Sequence, residues 1–387
     1  MRQILRQNNT DLLREIEQLE HALQSVAGEI PPELDTYYAW VLQIRDEFYN
    51  QAIQNLQDLD LERDDTLPDI LSVTQELTRG FYLFNQYWVS PVLRPRPLDR
   101  LSLKILRWLH ASNTTTEHIA VALRDGGVSV LPVPDRPTIY SMPSSAQHGL
   151  LYLPLFFHEK GHLLYACHKP EMDDRVRELQ ETIAELLEPR IQRNDHPSEE
   201  DARIRSIIVE KWYEWTQEVF CDAVGFVIGG PAYLYAFSMF LRMRGKDQYH
   251  LPPDELERQE HPISWLRIRI LADRVRREGF DAEAEQITEG WDEIAGAMEI
   301  REDYYGFYED DFLPEIQQTI DDMLEESSPR KFENDETIAS EEAISFRSPV
   351  HLLNRAWQQF WKDPEGYRTW EGNAIAAFLE ETSTDHS

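Results

Sequence analysis

A chain of 387 residues with 41% apolar content can bury a substantial core. Its formal charge of −33, from 71 acidic against 38 basic side chains, argues against nucleic acid as a direct partner. With 7 Lys against 31 Arg, the acid-rich, lysine-poor surface is of a kind that stays soluble in concentrated salt.

A halophilic source is therefore expected, with an ordinary acidic cytoplasmic protein as the alternative; dialysis into low salt separates the two. Cys167 and Cys221 are too few for a secreted disulfide framework and read as core thiols. The N-terminus scatters Arg2, Arg6, Asp11 and Arg14 where an apolar signal run would lie, so a cytoplasmic location is expected.

Residues 1–113 form a helical N-terminal region in which Leu5, Leu12, Leu13, Ile16, Leu19 and Leu23 recur near a helical period up to Gly28 and Pro31-Pro32. Three aromatic-rich amphipathic stretches follow, at roughly 35–59, 67–90 and 99–111, and such faces ordinarily build a core. The clear strands come next. Gly127–Pro132 and Thr138–Met142 flank a Pro-rich turn and predict a hairpin. Pro154 predicts a helix opening near residue 153.

That helix carries Phe156-Phe157-His158-Glu159-Lys160-Gly161-His162-Leu163-Leu164, an HExxH motif set in apolar residues. His158 and His162 are one turn apart and can close on one metal ion, while Glu159 lies about 100° further round, beside the ion. Burying these groups among Leu155, Phe156, Phe157 and Leu163 is costly unless something satisfies them, and a metal does so. Two imidazole ligands and a carboxylate placed to take a proton from an activated water are the layout of a metallopeptidase.

Catalytic zinc takes three protein ligands and leaves one position open. His168 completes the spacing HExxHxxxxxH, but Tyr165 stands where a Gly would allow the chain to turn back. On a continuous helix His168 is about 240° round and about 9 Å along from His162 and cannot share its metal. The rival is Glu218, on one helix face with Asp222 in Trp215–Ala223. Val219, Phe220, Val224 and Phe226 make that face a buried one, where bare carboxylates are unexpected.

HExxH followed by Glu-x-x-x-Asp resembles the gluzincins, zincin-type metallopeptidases of the thermolysin-like kind. The likeness extends through a Gly230-Pro231 helix start and His261-Pro262 with Leu266-Arg267 behind, covering roughly residues 115–275. The order is similar to an uncharacterised bacterial and archaeal branch of zincins. The resemblance implies zinc on His158, His162 and Glu218, with Asp222 hydrogen-bonding a ligand histidine. It also implies that the strand before the HExxH helix holds an extended peptide by backbone pairing. Gln217 in place of Asn before the ligand Glu, and the 55 residues between His162 and Glu218, depart from thermolysin and leave the substrate open.

Downstream, charged amphipathic helices are predicted at 171–189 and 199–217, joined by a loop over 193–198. The 19 uncharged residues Ala223–Leu241 are broken by Gly229-Gly230-Pro231 and predict two core helices, with no membrane span. Helices continue over about 262–299, where Arg267, Arg269, Arg274, Arg276 and Arg277 form a basic cluster or a salt-bridged face. Residues 325–343 read as an acidic linker and 345–382 as two closing helices with Trp357, Trp361 and Trp370.

The fold expected is therefore α+β and predominantly α-helical. A zincin-like core over 114–300 holds a small β-hairpin before the active-site helix, between the N-terminal helical region and a C-terminal helical extension over 301–387. The expected function is a zinc metallopeptidase acting on a peptide or protein substrate, with one zinc ion and Glu159 as general base. His261 is the candidate second electrophile for the oxyanion, with Tyr140, Tyr165 and Tyr233 as alternatives and a capping or core role as the plain reading. A zinc amidase would use the same residues. The readings outside catalysis are an inactive zincin-like scaffold and a metal-free helical interaction protein.

Overall fold

The structure is a computed structural model and describes residues 1–61, 64–96, 99–133, 136–192, 199–332 and 348–381. Helix α1 (Arg2–Val26) buries the expected stripe Leu5, Leu12, Ile16, Leu19 and Leu23, and stops before the extended Pro31. It lies on α2 (Asp35–Leu61) and α3 (Leu67–Phe84), whose aromatic residues interlock through Phe48 with Phe81 and Phe84, and Trp40 with Phe84. A π-helical turn, Asn85–Val89, continues α3, and α4 (Arg100–Ala111) completes the N-terminal helices.

The sheet has three strands, one more than the hairpin expected. Strand β3 (Thr138–Met142) is central and buried along its length; β2 (Ser129–Leu131) pairs with it antiparallel, Ser129 opposite Ser141 and Leu131 opposite Ile139. The addition is β1 (Val121–Asp125), parallel to β3 with Val121 opposite Thr138. Its first three residues are all buried, so it lacks the alternation that marks a half-exposed strand. The order β1-β3-β2 leaves β2 at an edge and corrects the expectation for the strand directly before the HExxH helix: that strand, β3, is paired on both sides and has no backbone edge for a peptide.

Helix α5 (Leu155–Cys167) starts one residue after Pro154, close to the expected opening, and Tyr140 of β3 meets Phe156 edge-on at 5.7 Å. After His168 the chain runs into α6 (Lys169–Gln192). Helix α7 spans Glu199–Gly229 without interruption and carries Glu218 and Asp222 in its interior. The loop expected over 193–198 lies outside the described residues.

At Gly230 the backbone takes φ 57°, ψ −144°, a conformation a side chain disfavours, and α8 (Pro231–Arg242) begins. The uncharged run is thus two helices, and no helix among the described residues is long and apolar enough to cross a membrane. Then follow α9 (Ser264–Arg277), α10 (Asp281–Ala297) and α11 (Leu313–Ser327). Helix α11 corrects the linker boundary, because residues 325–327 are its last turn, ending on Ser328 in the left-handed region. The rest of the expected linker, from residue 333, lies outside the described residues.

The closing helices are α12 (Pro349–Lys362) and α13 (Tyr367–Glu381). Asn354 of α12 ties the α7–α8 junction: its amide donates to the Gly229 carbonyl at 2.9 Å, and its carbonyl accepts from Ala232 N–H at 2.9 Å. Most of the buried apolar side chains form one cluster from Leu12 to Phe378 that draws on all three sequence regions, and Leu5, Leu59, Leu67 and Ile70 form a small second one. The fold is α+β and predominantly helical, as expected.

Candidate metal centre

The centre sits where α5 crosses α7. Phe156, Phe157, Leu163 and Leu164 anchor α5 in the core, and Gly161 lets the two backbones meet. A Cβ at position 161 would lie only 2.7 Å from Cα of Cys221. This proximity carries the two histidines on the next face of α5 to the carboxylates of α7.

Nε2 of His158 is 3.5 Å from Oε2 of Glu218, and Nε2 of His162 is 3.5 Å from Oε1 of the same carboxylate. Atoms bound tetrahedrally to zinc at about 2.0–2.1 Å lie about 3.3–3.4 Å apart, close to both separations, although each histidine meets a different oxygen of Glu218. Oε2 of Glu218 is buried and makes no hydrogen bond of good geometry; the cation beside it is the guanidinium of Arg267. The donor set of two imidazoles and one carboxylate is that of a catalytic zinc site with one position open.

Behind this trio, Nδ1 of His158 lies 2.9 Å from Oδ1 of Asp222, close but off the line of a good hydrogen bond. Asp222 in turn is gripped by Arg267 through Nε at 2.8 Å and Nη2 at 2.7 Å, and accepts from the Tyr233 hydroxyl at 2.9 Å. Nη2 of Arg267 also lies 3.1 Å from Oε2 of Glu218. Phe237 of α8 stacks on the His158 ring at 6.1 Å and 20°.

The titration behaviour follows from these contacts. Burial works against charge on His158, but Asp222 and then Glu218 more than offset it and raise its pKa. At His162 burial, helped by the neighbouring His158 charge, lowers the value to about 4. Burial drives Glu159 up to about 7. Glu218 and Asp222 stay below the usual carboxylate range despite burial, chiefly because of Arg267.

An open cleft of about 360 Å³ reaches these groups, lined by His158, Glu159, His162, Glu218, His261 and Arg267. Apolar residues from Leu155, α8 and the β2 edge complete its walls. Glu159 has no hydrogen-bond or ion-pair partner among the described residues, so its carboxylate is free to act there. His261 stands at the rim, 56% exposed, with Nε2 3.7 Å from Oε1 of Glu218. That position is neither a helix cap nor a core site.

His168 is not brought in: its ring meets Thr115 at 3.4 Å and Glu326 at 3.7 Å. The three tyrosine candidates are engaged elsewhere, Tyr140 with His110 at 2.8 Å, Tyr165 with Asp173 at 2.7 Å and Tyr233 with Asp222. The sulfur of Cys221 comes within 4.8 Å of a nitrogen on each histidine and is a rival third donor. Glu218 fits better. Cys221 sits in the helix crossing, outside the lining of the cleft that the two histidines and Glu218 share, and burial raises the pKa of its thiol.

Three buried cations escaped sequence reasoning. Arg267 and Arg274 read there as part of a basic cluster, yet they are 6% and 5% exposed; Arg267 braces the site, whereas Arg274, with Arg277, pairs with Asp321 on α11. Flanking Leu266, Ile268 and Ile270 were the available signal. Lys160, on the far face of α5, is buried with its ammonium on the Thr116 hydroxyl, and burial lowers its pKa to about 7. No protein-family model, curated protein or solved structure matches the chain.

Proposed function

We propose that this protein is a zinc-dependent hydrolase of peptide bonds. The observation that carries the reading is the meeting of His158 Nε2 and His162 Nε2 on the Glu218 carboxylate, with the unpartnered Glu159 in the same cleft. Zinc, when bound, would supply Lewis-acid polarisation of the scissile carbonyl and acidification of a water.

The remaining work falls to the chain. His158, His162 and Glu218 hold the ion. The Asp222 carboxylate, 2.9 Å from Nδ1 of His158, favours the tautomer that carries its proton on Nδ1, which leaves the Nε2 lone pair for the cleft. Arg267 keeps Asp222 and Glu218 ionised and in place. Glu159 accepts the proton of the attacking water and delivers it to the leaving amine. His261 at the rim donates to the carbonyl oxygen as negative charge develops, and the free edge of β2 pairs with an extended peptide. Cys167 and Cys221 form no disulfide, which suits a reducing cytoplasmic location.

Zinc stoichiometry and hydrolysis of a mixed peptide library test the reading. Glu159→Gln should retain zinc and lose about 10²–10⁴ in turnover. Glu218→Ala should lose zinc while His168→Ala keeps it. The reverse pattern would overturn the ligand set, and zinc bound without hydrolysis in the wild type would leave a scaffold.

A further inference from the structure

The cleft does not end at the metal ligands. A second recess of about 480 Å³ continues outward, sharing Leu241, Arg244, His261 and Arg267 with the first and bounded further out by Arg258, Glu260 and Ser264. Arg244, just past the C-terminus of α8, therefore stands at the junction of the two. Its guanidinium carbon lies 3.9 Å from the centroid of the Phe240 ring, itself part of the inner wall. Stacking of this kind occupies one face of the guanidinium and leaves its N–H edge for a planar acceptor.

No such acceptor is supplied from within. Among the described residues no carboxylate lies within ion-pair distance of Arg244, in a chain with 71 acidic side chains to offer. The acids nearest in the outer wall do not fill the role: Asp247 accepts from the Gln248 amide at 2.7 Å, and Glu260 points its pairing potential at no described cation. By contrast Arg267, the other arginine of the junction, is fully used on Asp222 and Glu218. The wall between Arg244 and the histidines is apolar, built of Leu155, Phe237, Phe240 and Leu241.

We propose that Arg244 is a specificity residue that binds a carboxylate of the substrate peptide, next to an apolar side chain seated on Phe237, Phe240 and Leu241. The inference rests on the peptidase reading for the identity of the ligand, and on the cleft geometry for its chemistry. The carboxylate can come from an Asp or Glu side chain or from the C-terminus of the peptide, since a bidentate guanidinium contact serves either. Peptides that offer an amide at that point lose the contact.

Binding distinguishes the sources. Zinc-loaded Glu159→Gln protein, which holds substrate without consuming it, is titrated with four apolar-rich peptides: Glu- or Gln-containing, each with a free or an amidated C-terminus. The Glu peptide with a free C-terminus is expected to bind about tenfold tighter than the fully amidated Gln peptide. The Glu-amide and Gln-acid members tell which carboxylate is read. Adding Arg244→Gln should erase the difference, and Arg244→Glu should turn it towards peptides with Lys at the same place. Circular dichroism checks that these exposed-site variants fold.

Equal affinity across the four, a preference that survives Arg244→Gln, or no binding of any of them overturns the inference. Wild-type protein that binds zinc and cleaves the library without regard to carboxylates fails this inference alone. Carboxylate-dependent binding without hydrolysis fails only the peptidase reading.

Discussion

Replacing Gly161 by Ala sets two effects of opposite sign against each other. Alanine is the better helix former by about 1 kcal/mol in a helix interior such as that of α5. The added methyl, however, would start 2.7 Å from Cα and 3.0 Å from Cβ and Sγ of Cys221. Ordinary contact begins near 3.4 Å, so α5 and α7 must part by roughly 0.7 Å or tilt by an equivalent amount. Because the nearest atom is backbone, no rotamer change relieves the clash, and overpacking of this kind costs about 1–3 kcal/mol. The upper part of that range wins, and Gly161→Ala should destabilise the fold by a net of about 1–2 kcal/mol. The same movement draws Glu218 away from both Nε2 atoms, now at 3.5 Å, so zinc affinity should fall at least tenfold. Chemical denaturation and competition against a zinc chelator measure the two effects. Trimming the partner, Cys221→Ala, removes only Sγ and should not rescue either. A Gly161→Ala protein as stable as wild type with unchanged zinc affinity would refute the account of the helix crossing.

Asp222→Ala leaves the guanidinium of Arg267, 6% exposed, without its bidentate partner, and should cost about 3–5 kcal/mol in denaturant unfolding; a loss below about 1 kcal/mol would mean Glu218 alone can hold the charge. Gly230→Ala forces a side chain onto φ 57° with its Cβ 2.7 Å from the Phe332 ring, so the melting temperature should drop by the equivalent of about 1–3 kcal/mol. Asp173 accepts from Tyr165 at 2.7 Å, Tyr213 at 2.8 Å and Lys169 at 3.1 Å. Burial alone would raise its pKa, but these partners lower it below the ordinary 3.8. A depressed carboxyl stabilises the fold above its unfolded pKa and loses that contribution as pH falls through the folded one. Asp173→Asn should therefore cost about 1 kcal/mol at pH 7 and nothing in strong acid, and a deficit that persists unchanged in strong acid would exclude this origin.

Most of the helices were legible because their apolar residues keep one period from cap to cap. The stripe of α1 and the Gly229-Gly230-Pro231 break are read correctly from spacing and from residues that cannot continue a helix. Strand β1 was not, for it is buried on both faces and five residues long, and Val121-Ala122-Leu123 has no alternation to recognise. The extent of α7 was legible, since the charged helix expected over 199–217 runs into Glu218 and the apolar residues up to Gly229 continue it. One continuous helix places the first half against α6 and the second in the core.

Within the site, sequence captures what a single helix fixes and misses what a helix crossing fixes. His158, Glu159 and His162 are related by the pitch of α5, and Glu218 and Asp222 by the pitch of α7, so their mutual geometry follows from residue numbers. Nothing in those numbers says that Gly161 meets Cys221, that Arg267 reaches back 45 residues to Asp222, or that Arg244 goes unpaired. Yet these set the chemistry. Arg267 takes both oxygens of Asp222 but touches only one of Glu218, at 3.1 Å, which leaves Oε1 of Glu218 turned to His162 and His261. A lysine at 267 could not make that divided contact, since an ammonium lacks the planar fork that grips one carboxylate while reaching a second.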